Sequence, residues 1–172
     1  EPRQEAGGVD GSRNKWVLPG NILGGSVRYS RWWPRRLSYD EEYPAELARL
    51  SDEHARLQHT RVGHASDGSP LYMLRLGDVG RPAFVLVATL HGGEVMNAHG
   101  LLALAESLCV EEQDDPRISW LFEHFQLIML PIMNPWGYRH SIQSSMTDCD
   151  LNRNFPTCWE EYPGDPGRWF SN

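Results

Sequence analysis

The chain has 172 residues, of which 40% are hydrophobic and 10% aromatic, enough to build a core and too apolar for wholesale disorder. Its net charge of -7, with Lys15 the only lysine, gives no footprint for nucleic acid or for an anionic membrane surface. No apolar run reaches the roughly 18–20 residues that span a bilayer; the longest, Ala83 to Leu90, is strand-sized.

At this length one domain is the default. Residues 1–37, rich in Gly and polar side chains, read as a flexible or loosely docked N-terminal arm, and residues 38–172 as the globular part. The chain starts at Glu1 with neither an initiator Met nor a signal-peptide pattern, as a processed or recombinant start would, and the compartment stays open. Trp32 and Trp33 sit among arginines in "YSRWWPRR". Packing of the arm is the reading preferred there over a cation–π patch for peptide or phosphate.

A first helix is expected from Asp40 to Leu57, with Ser38 and Glu41 at capping-box spacing and Leu47, Leu50, His54 and Leu57 recurring at helical intervals. "HASDGSP" marks a turn, and Leu71 to Leu76 a strand. "AFVLVATL" is continuously apolar, which predicts a strand buried on both faces. Val95 to Glu111 reads as a helix whose apolar face is Leu101, Leu104 and Leu108 with Met96 or Ala105. A short helix over Arg117 to His124 and a second buried strand in "FQLIMLPIMN" follow. Strand, helix and strand at this spacing predict an α/β fold, its sheet mostly parallel or mixed and flanked by helices. Active sites in such sheets lie beyond the carboxyl ends of the strands, where His91 and Asn134 fall.

Cys109, Cys149 and Cys158 are too few for a disulfide scaffold, although Cys149 and Cys158 could pair in an oxidising compartment. "HGGE" sets His91 and Glu94 at H-x-x-E spacing, an imidazole and a carboxylate that together suit zinc. Gly92 and Gly93 let that turn fold tightly. Alone the motif is weak, and on it alone the preferred reading of His91 is a residue capping a helix start.

The stretch "NPWGYRHSIQSSMTDCDLNRNFPTCW" changes this balance. With "HGGE", "NPWG" and "DLNRNF" in this order, each in a fitting context, residues 40 to 160 resemble the zinc carboxypeptidases, which remove C-terminal residues from peptides. The resemblance implies that His91 and Glu94 are two of three protein ligands of a catalytic Zn2+. It also implies that Asn152 and Arg153 hold the terminal carboxylate of a peptide or small amide substrate. A guanidinium can fork onto a carboxylate through two hydrogen bonds. Asn154 and Phe155 are taken as structural. The implied chemistry is metal-assisted hydrolysis with a Glu general base and an Arg that steadies the oxyanion.

Two departures stand out. In the family the third ligand, a His, and the general-base Glu lie downstream of "LNRNF", yet residues 155–172 contain no histidine, and Glu160 and Glu161 come too early. The resemblance therefore implies the N-terminal part of a catalytic domain, truncated at its C-terminus and inactive alone. His140 is a conceivable substitute ligand, with a loop or surface role favoured. The oxyanion Arg position falls on Gln143, which can donate a hydrogen bond but carries no charge. Arg139 could replace it only if the loop folds differently. Two rivals remain: an N-acyl amino acid deacylase of the succinylglutamate desuccinylase and aspartoacylase type, and a non-catalytic module that binds carboxylates.

Overall fold

The computed structural model describes residues 35–155. The expected arm up to Pro34, with Trp32 and Trp33, lies outside these residues, as do Cys158, Glu160 and Glu161. Leu37, assigned to the arm from sequence, is only 6% exposed, and its carbonyl accepts a hydrogen bond from Tyr138 Oη at 2.9 Å.

Helix α1 spans Glu42–Glu53. It starts at a reciprocal pair, Glu42 N donating to Ser38 Oγ (3.1 Å) and Ser38 N donating to Glu42 Oε2 (2.7 Å), so Glu42 takes the part expected of Glu41. Tyr43, Leu47 and Leu50 stack on one face and are fully buried. The helix stops short of the expected Leu57, because His54 turns extended (φ -129°, ψ 104°) and Leu57 opens a strand. That strand, β1 (Leu57–His64), pairs antiparallel with β2 (Pro70–Leu76) around the "HASDGSP" turn. Leu57 is its only buried side chain, so the sequence carries no alternation by which to find it.

Strand β3 (Ala83–Val87), helix α2 (Val95–Glu111), helix α3 (Pro116–His124) and strand β4 (Gln126–Leu130) complete the layers. Asp115 caps α3 by accepting from Arg117 N at 2.9 Å, and Pro116 fills the first helical position. The sheet order is β1-β2-β4-β3. Only β3 and β4 run parallel, as the βαβ connection requires, while β1–β2 and β2–β4 are antiparallel. The sheet is thus mixed, flanked by helices.

Two expectations about burial need correction. β3 is not buried on both faces: Phe84, Val85 and Val87 are 52%, 59% and 46% exposed. The strand lies at the sheet edge and pairs only with β4 among the described residues, so its apolar sequence meets no second layer there. On α2 the buried face is Ala98, Leu102 and Ala105, spaced i, i+4, i+7, whereas Leu104 and Met96 are exposed. Helix length was legible from the apolar run, but its facing was not, since residues on both sides of α2 are apolar.

Beyond β4 come a short helix α4 (Pro135–His140) and a single 3-10 turn (Leu151–Arg153).

Candidate functional site

The parallel pair carries the site. Past the last β3–β4 rung the two chains stay bonded but slip by one residue: Ala88 N donates to Leu130 O (3.0 Å) as the ladder continues, whereas Ala88 O then accepts from Met133 N (3.3 Å) in place of Ile132 N, and Thr89 O accepts from Asn134 N (3.1 Å). Thr89 is buried and has φ 54°, an uncommon conformation for a β-branched residue, which turns the chain sharply into His91.

Asn134 ties the neighbouring turns together. It is 2% exposed and caps α4, its Oδ1 accepting from Gly137 N at 2.9 Å. Its Nδ2 donates to Leu90 O (3.1 Å), Gln143 O (3.1 Å) and Ser144 O (3.0 Å). The "HGGE" and "NPWG" turns touch backbone to backbone: a Cβ on Gly92 would stand 1.8 Å from Gly137 C. A Cβ on Gly137 would stand 2.6 Å from Asn134 Nδ2. Close approach, and not a left-handed backbone, is why glycine occupies both positions.

His91 and Glu94 converge at the start of α2. His91 Nδ1 lies 3.0 Å from Glu94 Oε1, while Glu94 Oε2 accepts from Asn97 Nδ2 at 3.0 Å. Two tetrahedral zinc ligands at ordinary bond lengths stand about 3.3 Å apart, so this nitrogen and oxygen are spaced as donors to one divalent ion would be. The other ring nitrogen, Nε2, faces Asp150 Oδ1 at 3.2 Å. A carboxylate on the far nitrogen fixes the ring's orientation and tautomer.

Asp150 holds a place in this site that the sequence reading did not assign to it. Its signal was there to be read: it opens "DLNR" as the cap of the 3-10 turn, its Oδ1 accepting from Asn152 N at 2.9 Å. Its Oδ2 accepts from Gln143 Nε2 at 2.7 Å. His91, Glu94, Asp150 and Gln143 therefore form one bonded group, with Asn152 joined to it through its backbone. The side chains of Asn152 and Arg153 are solvent-facing, and Arg153 Nη1 donates to Asn152 O at 3.3 Å. Phe155, expected to be structural, is 56% exposed. Burial, then the charge of Asp150, pushes the neighbouring Cys149 thiol above its usual range.

Arg139 is committed elsewhere. Its guanidinium bonds both oxygens of Asp40, donates to Asp67 Oδ2 (3.0 Å) and Ser69 Oγ (2.8 Å), and lies 4.6 Å from the Tyr39 ring centroid. The bond with Asp40 raises the Arg139 pKa and lowers that of Asp40. Loop refolding that would bring Arg139 to the reaction centre is not what the chain adopts, because three acceptors already hold it. His140 Nδ1 donates to Trp136 O (2.8 Å) and the ring packs against that of Trp136, an exposed helix-end role.

A second group of ligand-type atoms, from Glu53, His54 and Glu106, lies within 4.8 Å of one another. There Arg49 already supplies the cation, bonded to Glu46 (2.6 Å), Glu106 (2.8 Å) and Glu53. The first group is the better candidate for an ion, since no guanidinium stands between its donors.

Comparison with known proteins gives a consistent picture. The family model described as zinc carboxypeptidase matches residues 43–170. Human carboxypeptidase D is 27% identical over 158 residues, covering 81% of this chain and 11% of that protein. Mouse carboxypeptidase M is 29% identical over 141 residues, covering 73% of this chain and 32% of that protein. Among solved structures, carboxypeptidase A from Helicoverpa armigera superposes with a TM-score of 0.65 at 24% identity, covering 80% of this chain and 38% of that one. The chain thus spans about a third or less of the length of the curated relatives it matches.

Proposed function

The chain belongs to the zinc carboxypeptidase family, and on that premise we propose that it forms part of a catalytic domain that releases C-terminal residues from peptides. The observation that carries this reading is the pair of donors at the start of α2, His91 Nδ1 and Glu94 Oε1, 3.0 Å apart with Asp150 behind the imidazole. The family's metal is zinc, and His91 and Glu94 are the residues that would hold it. When bound, the ion supplies Lewis acidity and lowers the pKa of its water.

The chain's own residues divide the remaining work. Arg153 would bind the substrate's terminal carboxylate by a two-pronged hydrogen bond, and Asn152 would add a neutral donor that sets its orientation. Both stand on the 3-10 turn that Asp150 caps, so the carboxylate site and the imidazole are referenced to one side chain. Their exposure suits groups that meet a ligand arriving from solvent. No histidine follows His140, and on this reading the third ligand and the general base come from polypeptide outside these 172 residues. The chain alone is then expected to bind and not to hydrolyse.

The test is a hydrolysis assay on a longer parent that includes this segment. It should cleave a peptide with a free C-terminus, lose most of that activity when the peptide is amidated, and lose it again in Arg153→Met. Equal cleavage of the amidated peptide would overturn the assignment of Arg153. Preference for an N-acylated amino acid over a peptide would shift the substrate class to the deacylases. Carboxylate-dependent binding with no cleavage would make the parent a binding module.

A further inference from the structure

We infer that Gln143 is a positioning residue for the metal centre, its amide holding Asp150 so that Asp150 can fix His91. This inference rests on reading His91 and Glu94 as zinc ligands.

Gln143 stands where the family resemblance expects a charged oxyanion donor, but its side chain is already engaged. Nε2 lies 2.7 Å from Asp150 Oδ2, a charge-assisted bond that must break before the amide could serve a developing oxyanion. Asp150 is buried, and its two oxygens have separate partners: Oδ1 takes His91 Nε2 (3.2 Å) and Asn152 N (2.9 Å), and Oδ2 takes Gln143. The terminal torsion of a carboxylate is soft. Bonds to Oδ1 alone would leave the group free to twist about that oxygen, and the Gln143 bond to Oδ2 removes this freedom.

The backbone supports the same role. Asn134 Nδ2 bonds the carbonyl of Gln143 and also that of Leu90, the residue before His91. One buried amide thus sets the spacing between the chain that carries the imidazole and the chain that carries its distant support. A neutral amide is suited to this place: it aligns Asp150 without cancelling the negative charge that the imidazole faces. A guanidinium there would pair with that charge.

Gln143 is solvent-exposed as a residue, so its replacements should fold. The experiment measures Zn2+ affinity of the full chain by calorimetry, with urea unfolding as the control for folding. Removing an outer partner of a metal-bound histidine typically costs about 10- to 100-fold in affinity. Gln143→Met, of similar length but without a donor, should weaken Zn2+ binding about 10-fold. Gln143→Glu, which sets two carboxylates face to face, should weaken it about 100-fold. The pair Q143E/D150N exchanges donor and acceptor, so it should recover at least about 10-fold of the loss in Q143E. Neither an oxyanion role nor bulk alone gives such a rescue. Wild-type affinity in both single variants, or no recovery in the double variant, overturns the role of Gln143. A wild-type chain that takes up no Zn2+ overturns the metal reading itself, and this inference with it.

Discussion

Gly92→Ala probes the contact on which the site is built. The added Cβ would stand 1.8 Å from Gly137 C, 2.2 Å from Tyr138 N and 2.3 Å from Gly137 Cα. To reach even 3.0 Å, the limit of real contacts, the "HGGE" and "NPWG" turns must part by at least about 1.2 Å. Overpacking commonly costs about 1–3 kcal/mol, and the upper end applies here because the obstacle is backbone and no rotamer can relieve it. At a typical urea m-value, about 3 kcal/mol lowers the unfolding midpoint by about 1–2 M. Separation of the turns also withdraws Asp150 from His91, which should weaken Zn2+ binding about 10- to 100-fold. Gly93→Ala is the control, since its Cβ would meet nothing nearer than Ser141 O at 3.6 Å. Its midpoint should hold or rise slightly, as the loss of a glycine restricts the unfolded chain by about 0.4–1 kcal/mol. A Gly92→Ala protein with the wild-type midpoint and affinity would refute this reasoning, and so would equal losses in the two variants.

Three further outcomes follow from the rest of the molecule. Arg139→Met leaves the nearly buried Asp67 carboxylate without its cation and should cost about 3 kcal/mol in urea unfolding at pH 7. Because the Arg139 bond lowers the Asp40 pKa, that pair stabilises above the ordinary carboxylate range and fades as pH falls through the lowered value, so the gap between wild type and variant should narrow in acid; a gap that widens would contradict it. Burial, then Glu112 and Glu106, pushes the Cys109 thiol up to about 12, so peptide mapping after iodoacetamide at pH 8 should find it labelled about a thousandfold more slowly than an ordinary thiol. Val85→Lys on the open β3 edge should change stability by less than about 0.5 kcal/mol and delay aggregation in light scattering.

The parts of the fold readable from sequence were those in which one run of residues carries the signal by itself. The apolar runs ending at Val87 and Leu130 placed His91 and Asn134 just past two strand ends, and α2 begins and ends at the expected residues. β1 escaped because an edge strand with one buried side chain need not alternate. The exposure of β3 escaped because a continuous apolar run reports what a strand can bury and not what covers it. At the site, "HGGE" and "DLNR" were each visible, but their bond was not: His91 and Asp150 meet across a loop whose course depends on Asn134, the tight Gly92–Gly137 approach and the left-handed turns at Ser141 and Asp148. Arg139 was open to a reaction-centre role in sequence because its partners, Asp40, Asp67 and Ser69, are far off along the chain.

The most direct measurement is the zinc K-edge X-ray absorption spectrum of the Zn2+-loaded chain, recorded beside His91→Ala and His54→Ala. An imidazole nitrogen and a carboxylate oxygen at about 2.0–2.2 Å should appear in the wild type, persist in His54→Ala and vanish in His91→Ala. Imidazole scattering that survives in His91→Ala and disappears in His54→Ala would move the ion to the cluster around Glu53 and Glu106, and would contradict the assignment of His91 and Glu94.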